Sequence, residues 1–295
     1  MASIVEKLVK AGLIKPPSFI ASNTCYESIM GSEAYGISTD SSDKDVYGFC
    51  IPGKEILFPH TIGIISGFGN QGQHFEQFQE HHIYKQDEEK EYDLTIFSIV
   101  KFFKLAMECN PNVIDSLYTP AECMTHCSQV GMMVRESRDL FLSKAAWKKF
   151  KGYAFGEMTD MLKEKTGKRK LLVDQHGYDT KNASHVYRLL DEIEQILVDG
   201  TIDLRRAKEQ LKFIRAGGLK LEEFKRGFVA KEKVLDSLYA NSTLREKPDE
   251  AALKQLLFNC LEHHYGSLSG CIVNPDREKL MAQEVVEVMR KYGYC

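Results

Sequence analysis

The most informative residues of this chain are Gly31-Ser32-Glu33-Ala34-Tyr35-Gly36 and, after a short polar spacer, Asp43-Lys44-Asp45. The run from Asp45 to Ile51 is rich in Val, Tyr, Phe and Cys with period-2 character, which predicts a β-strand. Residues two apart on a strand point to the same face, with side-chain bases about 6–7 Å apart. Two carboxylates held this closely repel each other unless a cation lies between them, and Mg²⁺ binds one or two carboxylates together with substrate phosphates. Asp43 and Asp45 therefore indicate a site for divalent metal ions.

The Gly31-Ser32 pair is consistent with phosphate binding at the same place. A glycine lets backbone N–H groups approach phosphate oxygens closely, and the serine hydroxyl adds a donor. Two metal ions about 3.5–4 Å apart can clamp the attacking and leaving oxygens of an in-line phosphoryl displacement, and such a site usually needs a third carboxylate. The alternative interpretation is a polar turn capped by aspartates, which tolerate turn geometry well.

Length and composition describe an ordinary globular chain with about two domains. The 295 residues are 43% hydrophobic and 27% charged, with a formal charge of −3, which excludes a uniformly basic nucleic-acid coat but not a local basic groove. No apolar run approaches the roughly 18–20 residues that cross a bilayer. The eight cysteines are scattered and no secretory signal accompanies them, so we expect free thiols and a cytoplasmic location.

Hydrophobic periodicity changes along the chain from strand-like to helical. Further strands are expected at 75–84 and 91–97, and a helix from 98 to the proline at Asn110-Pro111. Beyond residue 145 the period is almost wholly helical, with helices expected over these ranges: 145–165, 179–198, 204–215, 220–241 and 249–264. The sequence thus predicts an α+β protein with a small mixed-sheet domain, 1–144, followed by an all-helical domain, 145–295.

The Gly-Ser-x-Ala-Tyr-Gly and Ser-Asp-x-Asp-Val-x-Gly motifs resemble those of the DNA polymerase beta-like nucleotidyltransferase superfamily, within it a group of predicted nucleotidyltransferases of bacteria and phages. The resemblance covers about residues 20–255. Its further landmarks are Tyr92-Asp93-Leu-Thr-Ile-Phe, Lys101-Phe102-Phe103, Asn110-Pro111-Asn112, Gly177-Tyr178-Asp179-x-Lys181-x-x-x-His185-x-x-Arg188-Leu-Leu and Ile214-Arg215-x-Gly217.

The resemblance implies that residues 1–144 are a nucleotidyltransferase domain that uses two divalent ions, Mg²⁺ or Mn²⁺. It implies transfer of a nucleoside monophosphate from a nucleoside triphosphate, ATP first, to a hydroxyl of an RNA end, a protein or a small molecule. Asp43 and Asp45 would hold both ions, and Gly31 and Ser32 would bind the β- and γ-phosphates. The superfamily places a third carboxylate on a neighbouring strand, which favours Asp93 and leaves Glu91 as the alternative. The other candidate function is a nucleotide-binding sensor of the same fold without turnover.

A second candidate site lies on the helix expected near 179. Lys181, His185 and Arg188 fall on one narrow stripe of that helix together with Glu192. The resemblance favours phosphate contact by the three basic residues, whereas periodicity alone favours a solvated stripe with an Arg188–Glu192 pair. Two other basic features, His81-His82 and the run 163–170, are expected to be surface side chains in contact with solvent.

Overall fold

A computed structural model describes residues 3–39, 42–64, 69, 71–72, 74–86, 88–268 and 275–293, with the backbone alone described at 168 and 275–281. The predicted α+β class is confirmed, because a mixed five-stranded sheet in the first half of the chain is followed by a long helical region. The strands are β1 (Thr24–Ile29), β2 (Lys44–Cys50), β3 (Gln77–Lys85), β4 (Lys90–Ser98) and β5 (Met124–Cys127).

Among the described residues, helices before and between the strands have at most nine residues, and most of those after the sheet are longer. The first seven are α1 (Ile4–Lys10), α2 (Ser18–Asn23), α3 (Gly31–Ala34), α4 (Lys54–Leu57), α5 (Ile99–Met107), α6 (Pro111–Tyr118) and α7 (Gln129–Glu136). The next seven are α8 (Ala145–Met161), α9 (Gly167–His176), α10 (Thr180–Asp199), α11 (Lys208–Arg215), α12 (Leu221–Asn241), α13 (Glu250–Tyr265) and α14 (Pro275–Lys291).

The strand order across the sheet is β3-β4-β2-β1-β5. Strands β2 and β4 run parallel, while β3–β4, β1–β2 and β1–β5 are antiparallel pairs. In the parallel pair Asp45 lies beside Asp93 and Phe49 beside Phe97, so both acidic residues stand at the N-terminal ends of adjacent strands on one face. Further along that face the Phe49 ring packs 4.8 Å from the ring of Phe102 on α5. The sheet therefore has a polar end and an aromatic end on the same face.

Local capping residues explain where the helices near the site begin. Asn110 accepts a hydrogen bond from the Val113 N–H and Pro111 occupies the first turn of α6, so the predicted break at Asn110-Pro111 separates α5 from α6. The Asp179 side chain accepts hydrogen bonds from the backbone N–H groups of Lys181 and Asn182, and α10 starts there.

The chain divides into two compact units. One comprises Met1–Ile51 with Glu76–Cys260 and contains the sheet together with most of the helices; the other comprises Pro52–Phe75 with Leu261–Cys295. In the second unit the Tyr265 hydroxyl donates a hydrogen bond to the Pro52 carbonyl. A domain boundary between residues 144 and 145 stays a prediction. Within the described part of the chain, no helix is both long and apolar enough to cross a membrane.

Candidate functional site

Carboxylates from two adjacent strands converge at the polar end of the sheet. Asp45 of β2 and Asp93 of β4 are direct partners in the parallel ladder, and Asp43 lies two residues before Asp45, at the entry to β2. Glu91 precedes Asp93 by two residues on the same face of β4, where its carboxylate contacts the His82 imidazole. Asp93 is therefore the direct neighbour of Asp45, and Glu91 lies one step further out.

The electrostatics of Asp45 follow from this convergence. Partial burial raises the pKa of Asp45, and the negative charges of Asp93 and Asp43 raise it further. The charges of Lys181 and His81 lower it but do not reverse the shift. The cations near Asp45 thus do not fully offset its burial and the two neighbouring negative charges.

The Gly31-Ser32 pair forms the start of α3, one residue after the end of β1. The Met30 N–H donates a hydrogen bond of 2.7 Å to the Asp45 carbonyl oxygen, which holds this turn against the start of β2. Gly31 has φ +64°, and a Cβ atom at that position would lie 2.3 Å from Asp45 Oδ2. A side chain at residue 31 would thus be strained and would collide with the carboxylate. Ser32 lies next to it and is half-buried.

The predicted stripe on α10 is divided between two environments. Lys181 lies in the first turn, half-buried, and the charges of Asp45 and Asp43 act on it. Burial and the charges of Arg169 and Arg215 lower the pKa of Lys181. His185 is one-third exposed and its Nδ1 lies 3.9 Å from Glu157 Oε2. Of the three predicted phosphate contacts, Lys181 is thus the one whose charge acts directly on the carboxylates.

Arg188 lies in the protein interior, and this placement argues against the phosphate contact predicted for it. Its side chain is 9% exposed, pairs with Asp115 and lies 2.9 Å from Glu192 Oε2. The Tyr35 hydroxyl donates to the same Asp115 oxygen at 2.9 Å, and the guanidinium carbon lies 4.7 Å from the centre of the Tyr35 ring. The Arg188–Glu192 pair of the alternative interpretation is therefore present, but buried instead of solvated, because α6 covers it with Asp115.

Two further cations near Lys181 were not predicted as site residues. Arg169 belongs to α9, where its Nη1 lies 2.7 Å from Asp179 Oδ2, so part of the basic run expected to be solvated is structured. The Arg215 carbonyl accepts a hydrogen bond from the Thr180 hydroxyl at 3.1 Å, which brings the end of α11 to the start of α10. Among the described residues, the charged groups of Lys181 and Arg215 have no hydrogen bond or ion pair. The signal that marked Arg215 in the sequence was its place in the Ile214-Arg215-x-Gly217 motif.

The comparisons with known proteins assign the chain to a family. Residues 14–223 match the model of the RlaP family, the RNA repair pathway DNA polymerase beta family. These residues make up more than half of the chain and contain every predicted site residue, so the chain belongs to this family of DNA polymerase beta-like nucleotidyltransferases. The resemblance stated from the sequence motifs is thereby confirmed.

A curated phage protein is also similar. The chain is 30% identical over 132 residues to the uncharacterized 38.9 kDa protein in the nrdC-mobD intergenic region of Enterobacteria phage T4, covering 44% of this chain and 36% of that protein. The match therefore spans about a third of the phage protein. No solved structure matches the chain.

Proposed function

We propose that this protein is a metal-dependent nucleotidyltransferase that moves a nucleoside monophosphate from a nucleoside triphosphate to a hydroxyl at an RNA end. The observation that carries the proposal is the pairing of Asp45 with Asp93 across two parallel strands, with Asp43 and the Gly31 turn adjacent. A phosphate-binding turn next to converging carboxylates is the arrangement that metal-assisted phosphoryl transfer requires.

The donor set fits hard divalent cations such as Mg²⁺ or Mn²⁺. Three carboxylates supply oxygen ligands. Burial raises the pKa of Asp45 and the charges of Asp93 and Asp43 raise it further, and a divalent cation would favour its ionised form. Asp43 and Asp45 would hold two such ions, and Asp93 would share the ion nearer the acceptor. When bound, the two ions would activate the acceptor hydroxyl and neutralise charge on the phosphates.

The reaction forms one bond and breaks one bond at the α-phosphorus of the nucleotide. The acceptor oxygen attacks this atom in line with the bond to the β-phosphate, which breaks and releases pyrophosphate. Asp93 would take the proton of the attacking hydroxyl. Its Oδ1 accepts the His82 N–H at 2.8 Å, which fixes the orientation of the carboxylate.

The phosphate tail of the donor would lie between α3 and the start of α10. Gly31 and Ser32 would present backbone and hydroxyl donors, and Lys181 would add a positive charge. Arg215 would extend this set, because it is half-buried and the charges of Arg169 and Lys181 act against its own. Asp179 attracts Arg215, but in the described part of the chain it forms no ion pair with it. Cations held close together in this way are stabilised by an anionic ligand.

RNA is the acceptor that the family description supports, since the matching family is assigned to an RNA repair pathway. The test is incubation with α-labelled nucleoside triphosphates, Mg²⁺ or Mn²⁺, and separate RNA, protein and small-molecule acceptors. We expect label on RNA ends, with loss in Asp43→Ala and Asp45→Ala. Label on protein or a small molecule would refute the RNA assignment. Saturable nucleotide binding without transfer to any acceptor would refute the enzyme in favour of the sensor.

Arg215→Gln is expected to weaken nucleoside triphosphate binding about 10-fold, the scale of one charge-assisted hydrogen bond. Nucleoside monophosphate binding should change little, because the proposed contact is to the phosphate tail. Isothermal titration with both ligands measures the difference. The control is Lys212→Gln on the same helix, whose exposed amine pairs with Glu209 at 3.2 Å. Equal affinity of Arg215→Gln and wild type for the triphosphate would contradict the assignment.

Gly31→Ala is expected to lower nucleotide transfer at least about 100-fold, because the new methyl group would displace the Asp45 carboxylate. The control is Gly12→Ala, which has a similar φ of +71° but no atom within 4 Å of the added Cβ. Both variants should lose about 1–2 kcal/mol of unfolding free energy from left-handed backbone strain, and Gly31→Ala should lose more because of the collision with Asp45. Only Gly31→Ala should lose transfer, and similar activity in the two variants would exclude the proposed collision.

A further inference from the structure

The two consecutive histidines of β3 lie opposite a single residue of β4. The ladder pairs Glu80 with Leu94 and then Ile83 with Tyr92, so His81 and His82 together oppose Asp93. This is a β-bulge, which redirects side chains and is common beside functional sites. His82 adopts φ +57°, a conformation that non-glycine residues rarely take. In a regular strand these two side chains would point to opposite faces, whereas the bulge brings both toward Asp93.

The bulge brings His82 into contact with two carboxylates. The His82 backbone N–H donates to Asp93 Oδ1 at 2.8 Å, and the His82 Nδ1 contacts Glu91 Oε1. One ligand atom from each of His82, Glu91 and Asp93 lies within 4.8 Å of the other two. His82 is 83% exposed, so the side of the cluster away from the sheet is open to water. His81 approaches the same site, with its Nδ1 3.4 Å from Asp93 Oδ2.

We propose that His82, Glu91 and Asp93 form a binding site for a divalent transition-metal ion, adjacent to the two ions proposed at Asp43 and Asp45 and sharing Asp93 with them. An imidazole nitrogen with two carboxylates suits Zn²⁺, Co²⁺ and similar ions, whereas Mg²⁺ and Ca²⁺ prefer oxygen ligands alone. Water would complete the coordination on the exposed side. The site needs no nucleotide, and two of its three ligands, His82 and Glu91, have no role in the proposed transfer reaction.

The site can be tested by titrating Co²⁺ into the full chain in the presence of excess Mg²⁺, which competes for the carboxylate ligands of Asp43 and Asp45, and by removing only the ligands that the two-ion site does not use. Co²⁺ is the probe because cysteine ligation would produce sulfur-to-metal charge-transfer absorption, whereas nitrogen and oxygen ligands give only the weaker visible bands. We expect one Co²⁺ bound with these visible bands. His82→Gln and Glu91→Gln should each weaken this binding by about 10-fold or more. His60→Gln, at an exposed histidine outside the cluster, should bind Co²⁺ like wild type.

A second variant separates ligand loss from backbone strain. His82→Gly suits a positive φ and removes the imidazole, so it should fold normally, as judged by circular dichroism, and still lose the Co²⁺ site. Wild-type Co²⁺ affinity in His82→Gln or His82→Gly would overturn the proposal, as would Co²⁺ absorption that is entirely of the thiolate type. Absence of nucleotide transfer would leave these results unchanged, so failures of the two proposals are distinguishable.

Discussion

Asp45→Asn is expected to reduce nucleotide transfer by at least about 10²–10³-fold without destabilising the fold. The amide keeps the size of the side chain but removes the charge that would hold a divalent cation beside Asp93. Asp93→Asn should cause a loss of similar size, because the two carboxylates are direct partners across β2 and β4. Label transfer from an α-labelled nucleotide to an RNA end measures the effect.

The stability of Asp45→Asn follows from the direction of the pKa shift. The pKa of Asp45 is higher in the folded protein than in the unfolded chain, because of burial and the charges of Asp93 and Asp43. Ionisation of Asp45 therefore lowers the free energy of unfolding. This loss begins as pH rises above the pKa of the unfolded chain and is complete above the pKa of the folded protein. In metal-free buffer at neutral pH the variant should melt at or above the wild-type temperature.

A matched control for this prediction is Asp174→Asn, at an exposed aspartate on α9 away from the carboxylate pair. It should transfer label at the wild-type rate. Added Mg²⁺ should raise the melting temperature of wild type and Asp174→Asn but not that of Asp45→Asn, because ligands that bind the native state stabilise it. Full transfer activity in Asp45→Asn would exclude the proposed metal-binding role, and so would an undiminished Mg²⁺ effect.

Arg188→Ala is expected to lower the free energy of unfolding by about 3–5 kcal/mol. Removal of the guanidinium leaves Asp115 and Glu192 buried together without their cation, and their side chains are 0% and 2% exposed. Burial already raises the pKa of Glu192 well above its ordinary value. Urea denaturation of the full chain measures the loss.

The matched control for Arg188 is Arg206→Ala. Arg206 also interacts with several carboxylates, including Asp191 at 2.8 Å and Glu194 at 3.1 Å, but its side chain is 37% exposed. Exposed pairs of this kind contribute about 0–1 kcal/mol, so the control should unfold close to wild type. If Arg188→Ala kept wild-type stability and instead lost triphosphate affinity, the phosphate contact first predicted for Arg188 would be right.

Arg188, buried with Asp115 and Glu192, also shows why the residue pattern of one helix does not identify the partners of its side chains. Helical geometry correctly placed Lys181 and Arg188 on one stripe, but it carries no information about what lies opposite each turn. In the folded chain the first turn of α10 meets the carboxylate site, whereas the turn that carries Arg188 meets Asp115 on α6. The two environments differ because α6 covers one part of the stripe and leaves the other near β2.

The strand predictions depended on a period-2 pattern of residues, so they were correct only for strands that show this pattern. The strands expected at 45–51, 75–84 and 91–97 correspond to β2, β3 and β4 within two residues. β1 was not predicted, because it lies inside the sheet and all six of its residues are buried, which removes the period-2 alternation. β5 has only four residues, too few for a periodic signal. Residues 163–170 were expected to be an exposed basic loop, but α9 begins at Gly167 within that run.

Local order in the sequence by itself determined the class of fold, the Asp43-x-Asp45 motif at the start of a strand and the glycine turn before it. These features depend on residue spacing and backbone preference, which are properties of short segments. Only the tertiary structure decided that Asp93 is the direct partner of Asp45, that Arg188 is buried and that two histidines face one aspartate. Those outcomes depend on register and packing between segments distant in the chain, and residue spacing within one segment does not specify them.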